Sequence, residues 1–273
     1  MSLRVLITAG FDRALPAVAL AELLRRDGIA IAGLLVVNPY QVARLRRLVR
    51  QRGWGFLKPA ARRLFGYATA SAGAGQPDPL EGLVAEHGIR ERSLRQWARR
   101  HAVPYHRVSS LNDLKTVAVV RASAADGVLY CGGGILGPAL IDAVRGRVLN
   151  AHAGPAPDIR GMAACEWALL LGLPPQVTIH FIDSGIDTGP VVARIPVEVE
   201  ADDTIARLRS KCIVLGILGL RREIEALRRP LPPRHPGAAL SRQCFVLAPA
   251  LAELLELRLR RQALAVASGV DPD

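Results

Sequence analysis

The chain has 273 residues, half of them hydrophobic, and a mean hydropathy of +0.22. That is enough for one large core, or one core with a small appendage, and no run reaches the ~18–20 uninterrupted apolar residues that cross a bilayer. The net charge of +12 is almost wholly arginine, because lysine occurs only at Lys58, Lys115 and Lys211; this reads first as the composition of a GC-rich genome, and it leaves nucleic acid, a phosphorylated substrate and a membrane surface open as anionic partners.

Residues 1–8 lack the basic start, long apolar run and small-residue cleavage site of a secretory signal, so a mature cytoplasmic N-terminus is expected. A buried strand is predicted over 3–8. The turn Ala9-Gly10-Phe11-Asp12 follows, with Asp12 placed to cap a helix over 13–26. Leu15, Val18, Ala19, Leu23 and Leu24 recur there at helical spacing, and Asp27-Gly28 ends the run. A second strand over 29–37 completes a β-α-β opening. Such an opening predicts an α/β fold, Rossmann-like and doubly wound, with a mostly parallel sheet.

Residues 40–100 interrupt the alternation and read as a helical insertion. It holds one or two basic helices, a Gly/Ala/Ser-rich connection at 71–75, and a helix over 89–101. Its arginines Arg44, Arg46, Arg47, Arg50, Arg52, Arg62 and Arg63 form the densest positive cluster. A solvated helix face is the plain reading of that cluster, with an anionic acceptor, a membrane surface or a partner beside it.

The alternation then resumes, with a strand over 103–108, a helix over 111–124, a strand over 127–131, the glycines Gly132, Gly133 and Gly134, a helix to 144 and a strand end at 148–152. Further strands are predicted over 177–183 and 191–199. A helix capped by Asp203-Thr204 runs to about residue 229, where Pro230-Leu231-Pro232-Pro233 stops it. The tail holds an amphipathic helix over 251–265 and shows no strand alternation. The organisation expected is therefore one catalytic domain over 1–220, carrying the insertion, and a short helical extension over 221–273. The cysteines Cys131, Cys165, Cys212 and Cys244 have no C-x-x-C spacing and no histidine at zinc-finger distance. They read as four buried thiols, with no disulfide and no metal.

Chemistry concentrates in Asn150-Ala151-His152. Residues two apart on a strand share a face, so an amide and an imidazole converge at a strand's carboxyl end, where open α/β sheets bind ligands. Alone, the pair would be ordinary strand-end polar residues. Downstream, Val177-Thr178-Ile179-His180-Phe181-Ile182-Asp183 alternates as a strand and runs into Ser184-Gly185-Ile186-Asp187-Thr188-Gly189. The glycines flanking Asp187 allow a tight loop that can bring its carboxylate to His152. Asp187-Thr188-Gly189 also matches the short aspartic-protease signature, but that chemistry needs two such aspartates sharing a proton and there is one. A dinucleotide site is disfavoured because G-x-G-x-x-G is absent. His87, His101, His106, His180 and His235 are not spaced as metal ligands; His180 can face the site across the sheet, although a core or edge histidine is the default. Arg160 reads as a structural partner of a carboxylate and Asp183 as a loop cap.

These blocks resemble the formyltransferase family, whose catalytic core reads N-x-H-x-S-x-L-P-x-x-R-G, then V-T and D-x-G-x-D-T-G. The first block here runs from Asn150 to Gly161, with Pro157, Arg160 and Gly161 in place; the second comprises Val177-Thr178 and the run from Asp183 to Gly189. Two positions depart. Gly154 stands where the serine is usual, and the loop over 171–176 is one residue short, with Gln176 in place of a glycine. The resemblance covers residues 3–220 apart from the insertion.

The resemblance implies transfer of a formyl group from the co-substrate 10-formyltetrahydrofolate to an amine, without a metal. It makes Asn150, His152 and Asp187 catalytic. Asn150 and protonated His152 would donate to the tetrahedral oxyanion. His152 with Asp187 would move the proton from the incoming amine to the folate nitrogen, the carboxylate favouring the imidazolium. It places the pterin against backbone of Cys131, Gly132, Gly133, Gly134, Ile135 and Leu136, and of Ile182, Asp183, Gly185 and Ile186. The acceptor expected is a small molecule such as an amino sugar or a specialised metabolite. The short tail disfavours a methionyl-tRNA acceptor and so nucleic acid. A formyltetrahydrofolate hydrolase and a non-catalytic folate-binding protein are the alternatives, and a peripheral membrane contact and a homodimer stay open.

Overall fold

In the computed structural model, residues 2–37, 77–200, 203–233 and 242–268 are described. The arginine cluster at 44–63 and the connection at 71–75 lie outside these residues.

Runs rich in Val, Leu and Ile form the strands β1 (Arg4–Ala9), β2 (Ala30–Val37) and β4 (Gly127–Cys131), flanked by the more polar β3 (Tyr105–Val108) and by β5 (Val148–His152). After the short β6 (Ile159–Gly161) come β7 (Gln176–Phe181) and β8 (Val191–Pro196). Seven of them form one sheet in the order β3-β2-β1-β4-β5-β7-β8. Pairing is parallel from β3 through β5, and β7 and β8 join antiparallel. The chain has the Rossmann-like α/β fold.

Helices cover both faces. Helix α1 (Leu15–Arg26) packs on one face, joined by α2 (Pro79–Glu86) and α3 (Leu94–Arg100). Leu111 and the helices α4 (Leu114–Ala122) and α5 (Pro138–Ala143) pack on the other. Helix α6 (Ala164–Leu170) follows β6, and α7 (Ile205–Arg222) lies on the first face under β5, β7 and β8. The tail contributes a three-residue strand β9 (Arg242–Cys244), paired in parallel with β6, and the helix α8 (Pro249–Ser268). Among the described residues no helix is long and apolar enough to cross a membrane.

Five element predictions change. Asp12 does not cap α1, which starts at Leu15 after an uncapped Ala14. Its carboxylate instead accepts from the Arg95 amide (3.0 Å), Ser93 Oγ (2.7 Å) and the Tyr105 hydroxyl (2.9 Å), so it holds the start of α3. The helix expected over 89–101 is shorter and begins at Leu94, because Ser93 adopts the extended backbone of an N-cap and accepts from Gln96 N–H. A further helix, α2, starts on Pro79 with the Asp78 side chain as its cap. Leu83, Val84, Ile89, Leu94, Trp97 and Ala98 all enter the main core, so the segment from residue 79 packs as part of the sheet domain. The helix from Thr204 stops at Arg222 and gives way to a 3-10 turn over Ile224–Arg228. Finally, the tail does contain a strand.

One buried charge ties the first face together. Glu22 on α1 accepts from Arg25, Arg26 and the Trp97 indole of α3. Arg25 foremost, outweighing the opposing cost of burial, lowers its carboxyl to about 2. The four cysteines are free; three are buried and Cys131 is half-buried.

Candidate active site

Strands β5 and β7 place the polar groups. In their antiparallel register Asn150 lies opposite His180, and His152 opposite Thr178. Side chains of these two strands therefore face one spot at the end of β5, and the loop after β7 brings Asp187 onto it. Asp187 takes a left-handed backbone, φ 51°, a conformation uncommon outside glycine that turns the loop back over the strand.

His152 is buried, with acceptors on both ring nitrogens. Its Nδ1 lies 3.4 Å from Asp187 Oδ2, and its Nε2 lies 3.1 Å from the Ile159 carbonyl. The same Asp187 Oδ2 accepts the Gly161 N–H at 2.8 Å. Strand β6 thus touches both members of the pair, through one carbonyl and one amide.

Asn150 reaches the cluster through His180. The His180 Nδ1–H donates to its neighbour's carbonyl, Phe181 O, at 2.9 Å, leaving Nε2 as the acceptor of an Asn150 amide hydrogen at 3.0 Å. Burial, the largest influence, pushes the His180 ring below the usual histidine range, which suits a neutral acceptor. Its Nε2 also lies 3.6 Å from Asp187 Oδ1, too long for a hydrogen bond. His180, read from the sequence as a default core histidine, bonds the Asn150 amide and lies close to Asp187 without a hydrogen bond to it. The signal for it was the alternation of Thr178, His180 and Ile182 on one strand face.

The departure at Gly154 has a steric cause. A Cβ there would lie 2.3 Å from the Cβ of Ala164 and 3.0 Å from His152 Nε2, so this chain has no room for serine. The turn is held instead by Thr178, whose hydroxyl donates to Gly154 O and accepts from Ala156 N. Arg160 donates to the Ile186 carbonyl at 3.4 Å and so braces the Asp187 loop. Asp183 accepts from Gly185 N and Thr188 Oγ1 within that loop, as a loop cap does.

A cavity of about 240 Å³ opens beside the loop, lined by Pro138, Ile141, Phe181, Ile182, Asp183 and Leu231 among others. Of the backbone expected to hold a pterin, Ile182 and Asp183 line this cavity, while residues 131–136, Gly185 and Ile186 do not. In the 132–136 turn, all three glycines have positive φ, between 100° and 124°. Several of its carbonyls already have partners: Gly132 O accepts from Thr8, Gly134 O from Tyr130, and Ile135 O from Asn112. The turn is prefixed by these three side chains. Ile135 is exposed and Leu136 is buried. Among the described residues no group of His, Cys, Asp and Glu is arranged to hold a metal.

Comparison with known proteins gives a coherent set of similarities. The sequence pattern of the family described as "Formyl transferase" matches residues 83–219. A methionyl-tRNA formyltransferase of Anaeromyxobacter sp. (strain K) is 34% identical over 155 residues, which cover 56% of this chain and 48% of that protein. The chain thus spans about half the length of the curated relatives it matches. Two solved structures share the fold. One is a phosphoribosylglycinamide formyltransferase from Anaplasma phagocytophilum (TM-score 0.55, 18% identity, 84% of this chain and 88% of that one). The other is a formyltetrahydrofolate deformylase from Pseudomonas syringae (TM-score 0.54, 18% identity, 84% and 62%).

Proposed function

The chain belongs to the formyl transferase family, and from that premise we propose that it moves a formyl group from 10-formyltetrahydrofolate to the amine of a small-molecule acceptor. The observation that carries this reading is the gathering of Asn150, His152 and Asp187 at the end of β5, with Asn150 bonded to His180 and His152 facing Asp187. In this reading the acceptor nitrogen attacks the formyl carbon, and the carbonyl oxygen becomes an oxyanion. The Asn150 amide and the His152 ring stabilise that oxygen by hydrogen bonds, and one such donor contributes ~2.7–4 kcal/mol to the barrier reduction. His152, oriented by Asp187, gives its Nε2 proton to the folate nitrogen as that nitrogen's bond to the formyl carbon breaks, and the ring nitrogen so freed takes the proton lost by the attacking amine. The His152 Nε2–H now donates to Ile159 O, so substrate competes with a carbonyl for it. The cavity beside Ile182 and Asp183 is of a size to take a bicyclic ring, and we assign it to the pterin.

An amino sugar or another small amine remains the first acceptor. A methionyl-tRNA acceptor is the second reading, motivated by what the relatives at about a third identity act on and by the net charge of +12. Incubation with 10-formyltetrahydrofolate and nucleotide-linked amino sugars, glycinamide ribonucleotide, charged methionyl-tRNA or no acceptor, following tetrahydrofolate release, separates the readings. Release that depends on a small amine supports the proposal. Release only with the charged tRNA selects the second reading, and release without any amine identifies a hydrolase. No release under any of these conditions counts against catalysis by this chain.

A further inference from the structure

The His152–Asp187 pair is held by a strand that owes its own position to the chain's tail. On β6, the Ile159 carbonyl fixes His152 and the Gly161 amide fixes Asp187. Three residues cannot hold such a strand alone, and β6 has no place in the seven-stranded sheet. Its partner is β9, in the register Ile159↔Arg242, Arg160↔Gln243, Gly161↔Cys244. The pairing is extended at both ends, by Arg242 N–H to Asp158 O (2.9 Å) and by Met162 N–H to Cys244 O (3.0 Å). Next to it, the Trp167 indole donates to Phe245 O at 2.7 Å, anchoring the segment to α6. Contact is close enough that a Cβ on Gly161, which has φ +92°, would lie 2.3 Å from Cys244 O.

Deepening the proposed function, on which it rests, we infer that the tail segment Arg242–Phe245 is a positioning element of the active site: through β6 it sets the geometry of His152 and Asp187. The segment lies beyond residue 219, outside the stretch that matches the family pattern. The physical reasoning is one of backbone supply. β6 spends one carbonyl and one amide on catalytic side chains, and a strand so short keeps a fixed path only if its other edge is paired. A shift of about 1 Å in either group is enough to cost as much as a hundredfold in rate, so small loosening of β6 is amplified at the site.

The test uses the full chain with 15N-labelled histidine. Arg242→Pro removes the N–H that bonds Asp158 O, and Arg242→Lys keeps it. The expected result is a kcat about tenfold lower in Arg242→Pro, with KM for both substrates nearly unchanged. The His152 ring nitrogens should also shift in long-range 15N–1H spectra, and Arg242→Lys should restore both readouts. Trp167→Phe, which removes only the donor to Phe245 O, should move both in the same direction by less, and it carries the comparison alone if the proline variant does not fold. The inference is overturned if His152 resonances in these variants stay where they are in the unsubstituted chain, or if Arg242→Lys falls as far as Arg242→Pro. Because the spectra need no acceptor, they decide the matter even if the unsubstituted chain transfers no formyl group, an outcome that would sink the proposed function by itself.

Discussion

The two halves of the sheet use sequence in opposite ways. From β3 to β5 the strands are parallel, and β1, β2 and β4 turn mostly apolar side chains to the two helix layers. From β5 to β8 they are antiparallel, and there His152, Thr178 and His180 sit buried beside Asp187. A parallel strand sandwiched between helix layers is apolar on both sides because it has no wet face. An antiparallel pair lets residues opposite each other exchange contacts directly, which is how Asn150 meets His180. The cluster to which the proposed function assigns catalysis begins where the strand direction reverses.

That contrast can be broken or sharpened by substitution. The largest effects are expected for His152→Ala and Asp187→Ala, each of which should abolish measurable formyl transfer while the circular dichroism spectrum and melting temperature stay near those of the parent; near-normal turnover in either would refute the mechanism. Asn150→Ala should lower kcat by ~10²–10³, the loss typical of one oxyanion donor, with substrate KM values little altered in steady-state kinetics. In the parallel half, Leu129→Ala deletes a fully buried side chain of β4 and should cost ~2–5 kcal/mol in urea unfolding. The protein that remains folded should keep its kcat, and an equal loss of both would deny the division between the halves.

The smallest effect is a pH dependence. Glu22 has its folded value lowered from 4.5 to about 2, so its carboxylate stabilises the fold fully above the unfolded value. That stabilisation is lost as pH falls from about 4.5 through 2. Glu22→Gln should be less stable at neutral pH, and its stability should fall less steeply across that window in pH-dependent unfolding. The two chains should therefore converge at the acid end.

Legibility in the sequence followed the same division. The β-α-β opening, the strands at β4 and β5, and the N-cap at Thr204 are local matters of periodicity and capping, and they lie where the pattern placed them. Asp12 was readable as a cap, but not which helix it would hold, since α3 lies eighty residues further on. Strands β6 and β9 gave no periodic signal because three residues are too few to alternate. Gly154 was visible as a departure, yet only the packing of Ala164 shows why serine is excluded.

By itself the sequence determined the class of fold, because apolar spacing sets local structure, and it supplied the asparagine, histidine and aspartate of the proposed site. Tertiary structure alone decided that His180 bonds Asn150 beside Asp187, and that a segment beginning at Arg242 pairs with the strand whose backbone contacts His152 and Asp187. Those are pairings between distant backbones, fixed by strand register and by which hydrogen-bonding edges are left over once the main sheet has formed. No window of neighbouring residues carries that information.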